Sequence, residues 1–408
     1  MNERVPFSRE QRWVAALICS MIFLNYLDRQ ILSVLSPILR TEIHLSQTQY
    51  AWAVNSFLAS YGVMYFGSGM VLDRIGARVG LPLFVALWSI VSAAHAGVRG
   101  FMDLAVLRCL LGIFEPGGWT GAIKTISEWF HPMQRAIATG IFATGSVVAV
   151  MITPPLVVYL SLHYGWRMAF LIPSLAGFVW LPLWWIIMRR PAPYRQLSGA
   201  PRFRLREALP LVRDKRVVAF MLVRFFGDFG GYFPMFWMPD YLTTQKGFSI
   251  AMLGALGWIP FLSNDLGPLF SGFASNRLIR AGWPVLFSRK VMMSVAAVLL
   301  ASGALFSSST SVVVVLLSLS LSTFGSGCWS GMMNTLPNDA FPKEKVATIY
   351  GLAGSMGSLG GILCNTLVGY LSSHGLYWAV FVMWSLLEPC GLVGAWLWLR
   401  DRPEDSPR

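Results

Sequence analysis

Twelve apolar segments, most of them about as long as a bilayer is thick, limit what this chain can become. They lie at about 13–37, 50–71, 80–98, 102–124, 135–158, 167–188, 217–242, 252–274, 289–307, 311–335, 346–371 and 377–399. A helix needs roughly 20 apolar residues to cross the hydrocarbon layer. Backbone in lipid must satisfy its own polar groups, so helices are the form such segments take. The chain is 55% hydrophobic and only 12% charged, with a mean hydropathy of +0.58, which fits a polytopic membrane protein and not a soluble one. The expected fold class is all-α, with twelve transmembrane helices in two six-helix halves. Residues 1–12 are polar and basic and the first apolar run is too long for a signal-peptide core, so no cleavable signal is expected.

The charges between the segments set the orientation. One long connection, 189–216, carries Arg189, Arg190, Arg195, Arg202, Arg204, Arg206, Arg213, Lys215 and Arg216 against only Glu207 and Asp214. Basic loops stay on the cytoplasmic side. Arg4, Arg9, Arg12, Arg74, Arg78, Arg135, Arg277, Arg280, Lys343, Lys345, Arg400 and Arg402 then share that side, and the opposite loops hold only Arg40, Arg99, Arg167 and Lys246. Both termini are expected in the cytoplasm. The organisation expected is a bundle over 1–188, a basic cytoplasmic linker over 189–216 and a second bundle over 217–408. The net charge of +13 is thus spent on membrane orientation, and nucleic acid is not an expected partner.

The halves echo one another. Gly69, Asp73, Arg74, Gly76 and Arg78 follow the second segment, and Gly272, Asn276, Arg277 and Arg280 follow the eighth, the equivalent place in the second half. Glycines permit a tight turn beside packed helices, while Asp and Arg can bond neighbouring helix ends. A turn of this kind repeated between two six-segment halves signals a duplicated transporter architecture. Asp28 and Arg29 sit together in the middle of the first segment. Each costs about 2.5–3.5 kcal/mol there on insertion scales, so they need partners and mark a pathway. Arg108 and Glu115 lie seven residues apart, about two helical turns, and project from nearly one face.

These features resemble the major facilitator superfamily, and the first copy of the loop resembles its signature. Within it, Asn25, Tyr26, Asp28, Arg29 and Gln30, then Arg108, Gly112 and Glu115, then Tyr232, Phe233, Trp237, Pro239, Tyr241 and Leu242 are similar to the anion:cation symporter family. Ala122-Ile123-Lys124, Glu128-Trp129-Phe130, Tyr164-Gly165-Trp166-Arg167, Arg224-Phe225 with Asp228, Gly282-Trp283 with Arg289-Lys290, and Leu336-Pro337 with Asp339 resemble the bacterial hexuronate transporters. The sequence departs from that branch at Pro116-Gly117-Gly118-Trp119, at Ala143 and Val147, and at Gly325-Ser326-Gly327-Cys328-Trp329, where fewer sugar-hydroxyl partners are present. A smaller or less hydroxylated acid stays open.

Residue chemistry and resemblance point the same way. A guanidinium is fork-shaped and fixed in charge, which suits a substrate carboxylate. A carboxylate where water is scarce suits proton coupling, because its charge is costly there. The resemblance implies that Arg29 anchors the substrate carboxylate and that Asp28 and Glu115 carry protons, with Arg108 in the same set; a static four-charge lock is the alternative. It implies substrate contact for Tyr61 and Tyr232. Arg224 and Asp228, at i and i+4, are either an internal ion pair or a second-half anion contact. Trp329 is expected to line the substrate cavity, with plain core packing as the alternative. Asp265 and Glu388 receive no functional role. The Gly69, Asp73, Arg74, Gly76 and Arg78 loop is expected to steady the closed cytoplasmic side by bonds across the two halves.

No cofactor is expected, and no metal, since His44, His95, His131, His163 and His374 lie near segment ends without converging. The five cysteines fall in apolar runs and suggest packing thiols. Motifs of hydrolases, zinc proteases and P-loop enzymes are missing, which argues against the rival reading as a membrane enzyme. The expected function is import of an organic anion, a sugar acid such as a hexuronate, by proton symport through the bacterial cytoplasmic (inner) membrane, with a monomer as the working unit. Anion exchange or uniport of another carboxylate is the alternative, since all three can use the same arginines.

Overall fold

The computed structural model describes residues 6–189, 192–194, 209–306, 309 and 311–399. Arg4, Arg400 and Arg402 lie outside them, as do Arg190, Arg195, Arg202, Arg204, Arg206 and Glu207 of the basic connection. Among the described residues the regular structure is helical. The α-helices are α1 (Arg9–Glu42), α2 (Gln47–Ile75), α3 (Ala77–Ala94), α4 (Phe101–Phe114), α5 (Pro116–Trp129), α6 (Pro132–Tyr164), α7 (Trp166–Ile187), α8 (Lys215–Thr244), α9 (Ile250–Leu256), α10 (Ile259–Arg280), α11 (Val285–Phe306), α12 (Val312–Ala340), α13 (Lys343–Ser373) and α14 (Tyr377–Trp398).

Nine of these, α1, α3, α6, α7, α8, α11, α12, α13 and α14, are long and apolar enough to cross a membrane. The other three apolar segments of the sequence are α2 and two broken helices, α4 with α5 and α9 with α10. The fold is therefore an all-α, twelve-span membrane protein. The two interruptions are a difference from the uninterrupted segments expected at 102–124 and 252–274, and a proline stands at the restart of each, although prolines elsewhere, such as Pro37 and Pro337, are carried within continuous helices. Pro116 has no N–H to give the Gly112 carbonyl, and Pro260 none for Leu256, where each helical ladder stops and restarts. Hydropathy does not register a missing N–H.

The chain divides into two compact units. The first holds Met1–Leu45, Ser56–Pro201 and Ser249–Ala255. The second holds Ser46–Asn55, Arg202–Phe248 and Leu256–Arg408. In the first, α1 packs along α6 and α7, and α3 along α7 and α5. Ser8 caps α1 reciprocally with Gln11, whose amide nitrogen also donates to the Trp129 carbonyl at 2.9 Å, tying the start of α1 to the end of α5. The departure at Pro116-Gly117-Gly118 acquires a packing reason here. A side chain on Gly117 would run into the Phe84 ring, and one on Gly121 into Leu81, so the missing Cβ atoms let α5 lie close on α3. In the second unit α8 packs along α13 and α14, and α12 along α10 and α11.

Candidate functional site

Asn25, Asp28 and Arg29 sit at i, i+3 and i+4 on α1 and therefore share one face. All three are buried. Helix packing within the first unit brings α2, α3 and α4 to that face. A side chain on Gly112 would strike the Phe57 carbonyl, and Ser60 Oγ donates to the Cys109 carbonyl at 2.8 Å, so α4 crosses α2 closely.

Glu115 stands at the α4–α5 interruption. Its carbonyl accepts from the Gly118 N–H at 3.0 Å and from Asn25 Nδ2 at 3.3 Å. Its side chain, fully buried, accepts a hydrogen bond from Arg29 Nε on Oε2 at 2.9 Å; Nη2 lies 2.8 Å from the same oxygen as an ion pair and donates to Asn25 Oδ1 at 3.5 Å. The guanidinium also lies 4.7 Å from the Tyr61 ring, 5.0 Å from Tyr26 and 5.3 Å from Phe57. Three aromatic faces surround one cation, and each such contact is favourable when water is excluded.

Asp28 takes a different partner. Ser92 Oγ on α3 donates to its Oδ1 at 2.9 Å. Arg108, almost wholly buried, acts electrostatically on Asp28, Glu115 and His95. The structure thus brings Asp28, Arg29, Tyr61, Arg108 and Glu115 into one polar cluster inside the first unit. Two cations face two carboxylates, so the cluster is neutral with all four groups ionised.

The remaining predicted residues fall in two other places. Asp73, at the end of α2, pairs with Lys124 of α5 at 2.5 Å and is largely exposed. Gly76, with φ 79°, turns the chain from α2 into α3, and Trp184 Nε1 donates to the Arg78 carbonyl at 2.9 Å. Arg74 lies in the last turn of α2, exposed, and Gly69 one turn earlier has open space where a side chain would be. In the second unit, Arg289 pairs with Asp339 at 2.9 Å near Asn276, so there the helix-end carboxylate comes from α12.

Also in the second unit, Arg224 Nε bonds Asp228 Oδ2 at 2.8 Å within α8. Its Nη1 donates to Asn334 at 3.2 Å and to the Tyr350 hydroxyl at 3.3 Å. The Tyr232 ring stacks on Phe236, centroids 5.8 Å apart. Trp329 lies in the packed core of this unit, against Gly227 and Gly391.

Sequence reasoning missed four members of these clusters. They are Ser92, His95, Asn334 and Tyr350, and of these the sequence singled out only His95. His95 was visible only as a lone histidine, yet it is buried, bonded through Nδ1 to the Val91 carbonyl at 2.8 Å, and next to Arg108. No grouping of His, Cys, Asp or Glu among the described residues suits a metal.

With fold and site in view, the comparisons give the class. The Major Facilitator Superfamily model matches residues 18–365 and 286–408, and the chain belongs to that family of membrane transporters. Among its relatives, the hexuronate transporter of Escherichia coli (strain K12) is 29% identical over 409 residues, covering 96% of this chain and 95% of that protein. The galacturonate transporter of Dickeya chrysanthemi is 30% identical, covering 71% and 89% respectively. The D-galactonate transporter of Escherichia coli O6:H1 is 24% identical, covering 89% and 90%. Among solved structures, a bacterial homolog of the human lysosomal transporter Spinster, inward-facing and occupied, superposes with a TM-score of 0.80 at 18% identity over 99% of this chain and all of that one. A D-xylose-proton symporter gives 0.74 at 13% identity, covering 96% and 98%. At these identities the structural likeness speaks for the fold.

Proposed function

We propose that this protein imports a sugar acid, of the hexuronate or aldonate kind, by proton symport and alternating access. One observation carries the reading: Arg29, caged by aromatic rings, is held by the carboxylate of Glu115, with Asp28 beside it. A substrate carboxylate that takes over Arg29 releases Glu115. The released carboxylate, buried and without the cation bonded to it, is stabilised by taking a proton. Anion and proton therefore enter together, and the cluster stays neutral. Tyr61 offers an aromatic face and Arg108 a second cation to the same ligand.

The names of the relatives support the substrate class, all three being transporters of sugar acids. We place the working halves at 1–188 and 217–408 with the linker 189–216, the membrane as the bacterial inner membrane, both termini in the cytoplasm and the monomer as the working unit. In this reading Tyr232 and the Arg224–Asp228 pair contribute from the second half, with Trp329 as backing. The Gly69, Asp73, Arg74, Gly76 and Arg78 loop steadies the closed cytoplasmic side.

The test is uptake into proteoliposomes against labelled galacturonate, glucuronate, galactonate, glucarate and simple aromatic carboxylates, with and without an inward pH gradient. Gradient-driven accumulation of a sugar acid is expected. Uptake of only aromatic acids, or accumulation indifferent to the gradient, would overturn the substrate class or the coupling respectively.

A further inference from the structure

Glu388 lies in the middle of α14, a helix of 22 residues, and is 1% exposed. Its Oε1 receives one hydrogen bond, from Ser326 Oγ of α12 at 3.2 Å, and its Oε2 has no hydrogen-bond partner among the described residues. The position is built: a side chain on Gly230 of α8 would run into the carboxyl group, so the missing Cβ makes the slot that holds it. The neighbouring charge is Asp228, two residues from Gly230 on the same helix.

The charged groups around this slot do not balance. Arg224 is the cation of the cluster, and its donors are directed at Asp228, Asn334 and Tyr350. Helix α13 brings Tyr350, bonded to Arg224, and α12 brings Ser326. Helix α11 brings Lys290, but its ammonium is held at the Leu399 carbonyl, eleven residues beyond Glu388. The one guanidinium here is thus committed to Asp228, and no cation bonds Glu388 among the described residues, whereas the first unit has two cations for two carboxylates. A single hydroxyl cannot replace the hydration of a carboxylate at this depth, and one proton restores neutrality.

We propose that Glu388, with Asp228, is a second proton-carrying site, separate from Asp28 and Glu115. The proton adds to the Glu388 carboxylate to give the acid. Asp228, with 16% of its side chain exposed, is the neighbour through which the site communicates with water. When an anion draws Arg224 away, Asp228 loses its cation and takes the proton of Glu388, and a proton from the cavity then restores the Glu388 acid; on release of the anion Asp228 gives its proton up and pairs with Arg224 again. This rests on the proton-coupled reading above, and adds one proton to each cycle.

The first test needs no substrate. Infrared spectra of the reconstituted full-length protein at neutral pH should contain a carboxylic-acid C=O band that disappears in Glu388→Gln and titrates away at high pH. The second measures protons per substrate with the acid that wild type accumulates. Glu388→Gln should carry one proton fewer, so that an imposed gradient of about one pH unit, at clamped potential, supports about tenfold less accumulation. Counterflow should persist, which shows that the variant is folded, and Asp228→Asn should alter the band's pH profile. A spectrum unchanged by Glu388→Gln, or an unchanged proton ratio, overturns the proposal. Wild type indifferent to pH would overturn the symport reading instead, while the infrared result would still decide whether Glu388 holds a proton.

Discussion

Arg29 and Glu115 meet at a single carboxylate oxygen, Oε2, which accepts from Nε at 2.9 Å and lies 2.8 Å from Nη2. The second oxygen, Oε1, has no hydrogen-bond partner among the described residues. The anchor of the proposed anion site is therefore occupied by an internal carboxylate, and a substrate must replace a bond as well as form one.

Loss of the guanidinium geometry should weaken binding. Arg29→Lys keeps the charge but loses the planar fork that matches a carboxylate with two N–H groups. Affinity for the transported acid, read by ligand-induced tryptophan quenching or equilibrium binding, should fall by about 1.5–3 kcal/mol, the range for a hydrogen bond to a charged group. Arg29→Ala should fall at least as far. Wild-type affinity in both variants would remove Arg29 from the site.

Neutral mimics of the carboxylates should separate coupling from binding. Glu115→Gln should abolish uphill accumulation driven by a pH gradient, while counterflow survives because exchange moves no net proton. Asp28→Asn should also lose accumulation, with some loss of binding, since Asp28 shares the α1 face with Arg29. Uptake and counterflow in the same liposomes check both. Continued accumulation by Glu115→Gln would refute coupling through that residue.

At the end of α2, Asp73 and Lys124 form an ion pair between two helices of the first unit. Asp73→Asn should slow transport several-fold and leave substrate affinity within a few fold. Lys124→Gln should do the same, and the double variant should be no slower than either single one if the pair acts as a unit. Initial rates and binding constants measured side by side provide the check, and additive slowing would show two separate roles.

The close seat of α5 on α3 makes a prediction about stability alone. Gly117→Ala would press a methyl group into the Phe84 ring. Overpacking of this kind costs about 1–3 kcal/mol. A lower unfolding temperature in detergent is expected, with the affinity of the folded protein nearly unchanged; an unaffected unfolding temperature would mean that α5 can move away without loss.

The charged members of the site were legible because an Asp or Arg in an apolar segment stands out against its cost. Asp28, Arg29, Arg108, Glu115, Arg224 and Asp228 were all visible in that way. Their pairings were not. Spacing put Arg108 and Glu115 on one face, but the bond to Glu115 comes from Arg29, 86 residues earlier, once α1 and α4 have packed. Glu388 was seen and left without a role because its donor, Ser326, is 62 residues away on another helix. Ser92 is a short hydroxyl inside an apolar run and His95 a lone histidine near its end, so neither showed that α1 and α4 would pack against it. The count of spans was readable from hydropathy, whereas the interruptions at Pro116 and Pro260 coincide with a missing backbone donor that hydropathy ignores.

The aromatic enclosure of Arg29 bears on what the cell's most abundant small anions can do here. A bare guanidinium would be open to chloride, and the carrier would idle. Tyr26, Phe57 and Tyr61 cover the faces of the cation, and Glu115 occupies its edge. A spherical ion offers nothing planar to stack among the rings and no second oxygen to match the fork. The resting site is thereby closed to a spherical halide, and an anion with two oxygens to match the fork is the kind that can dislodge the incumbent.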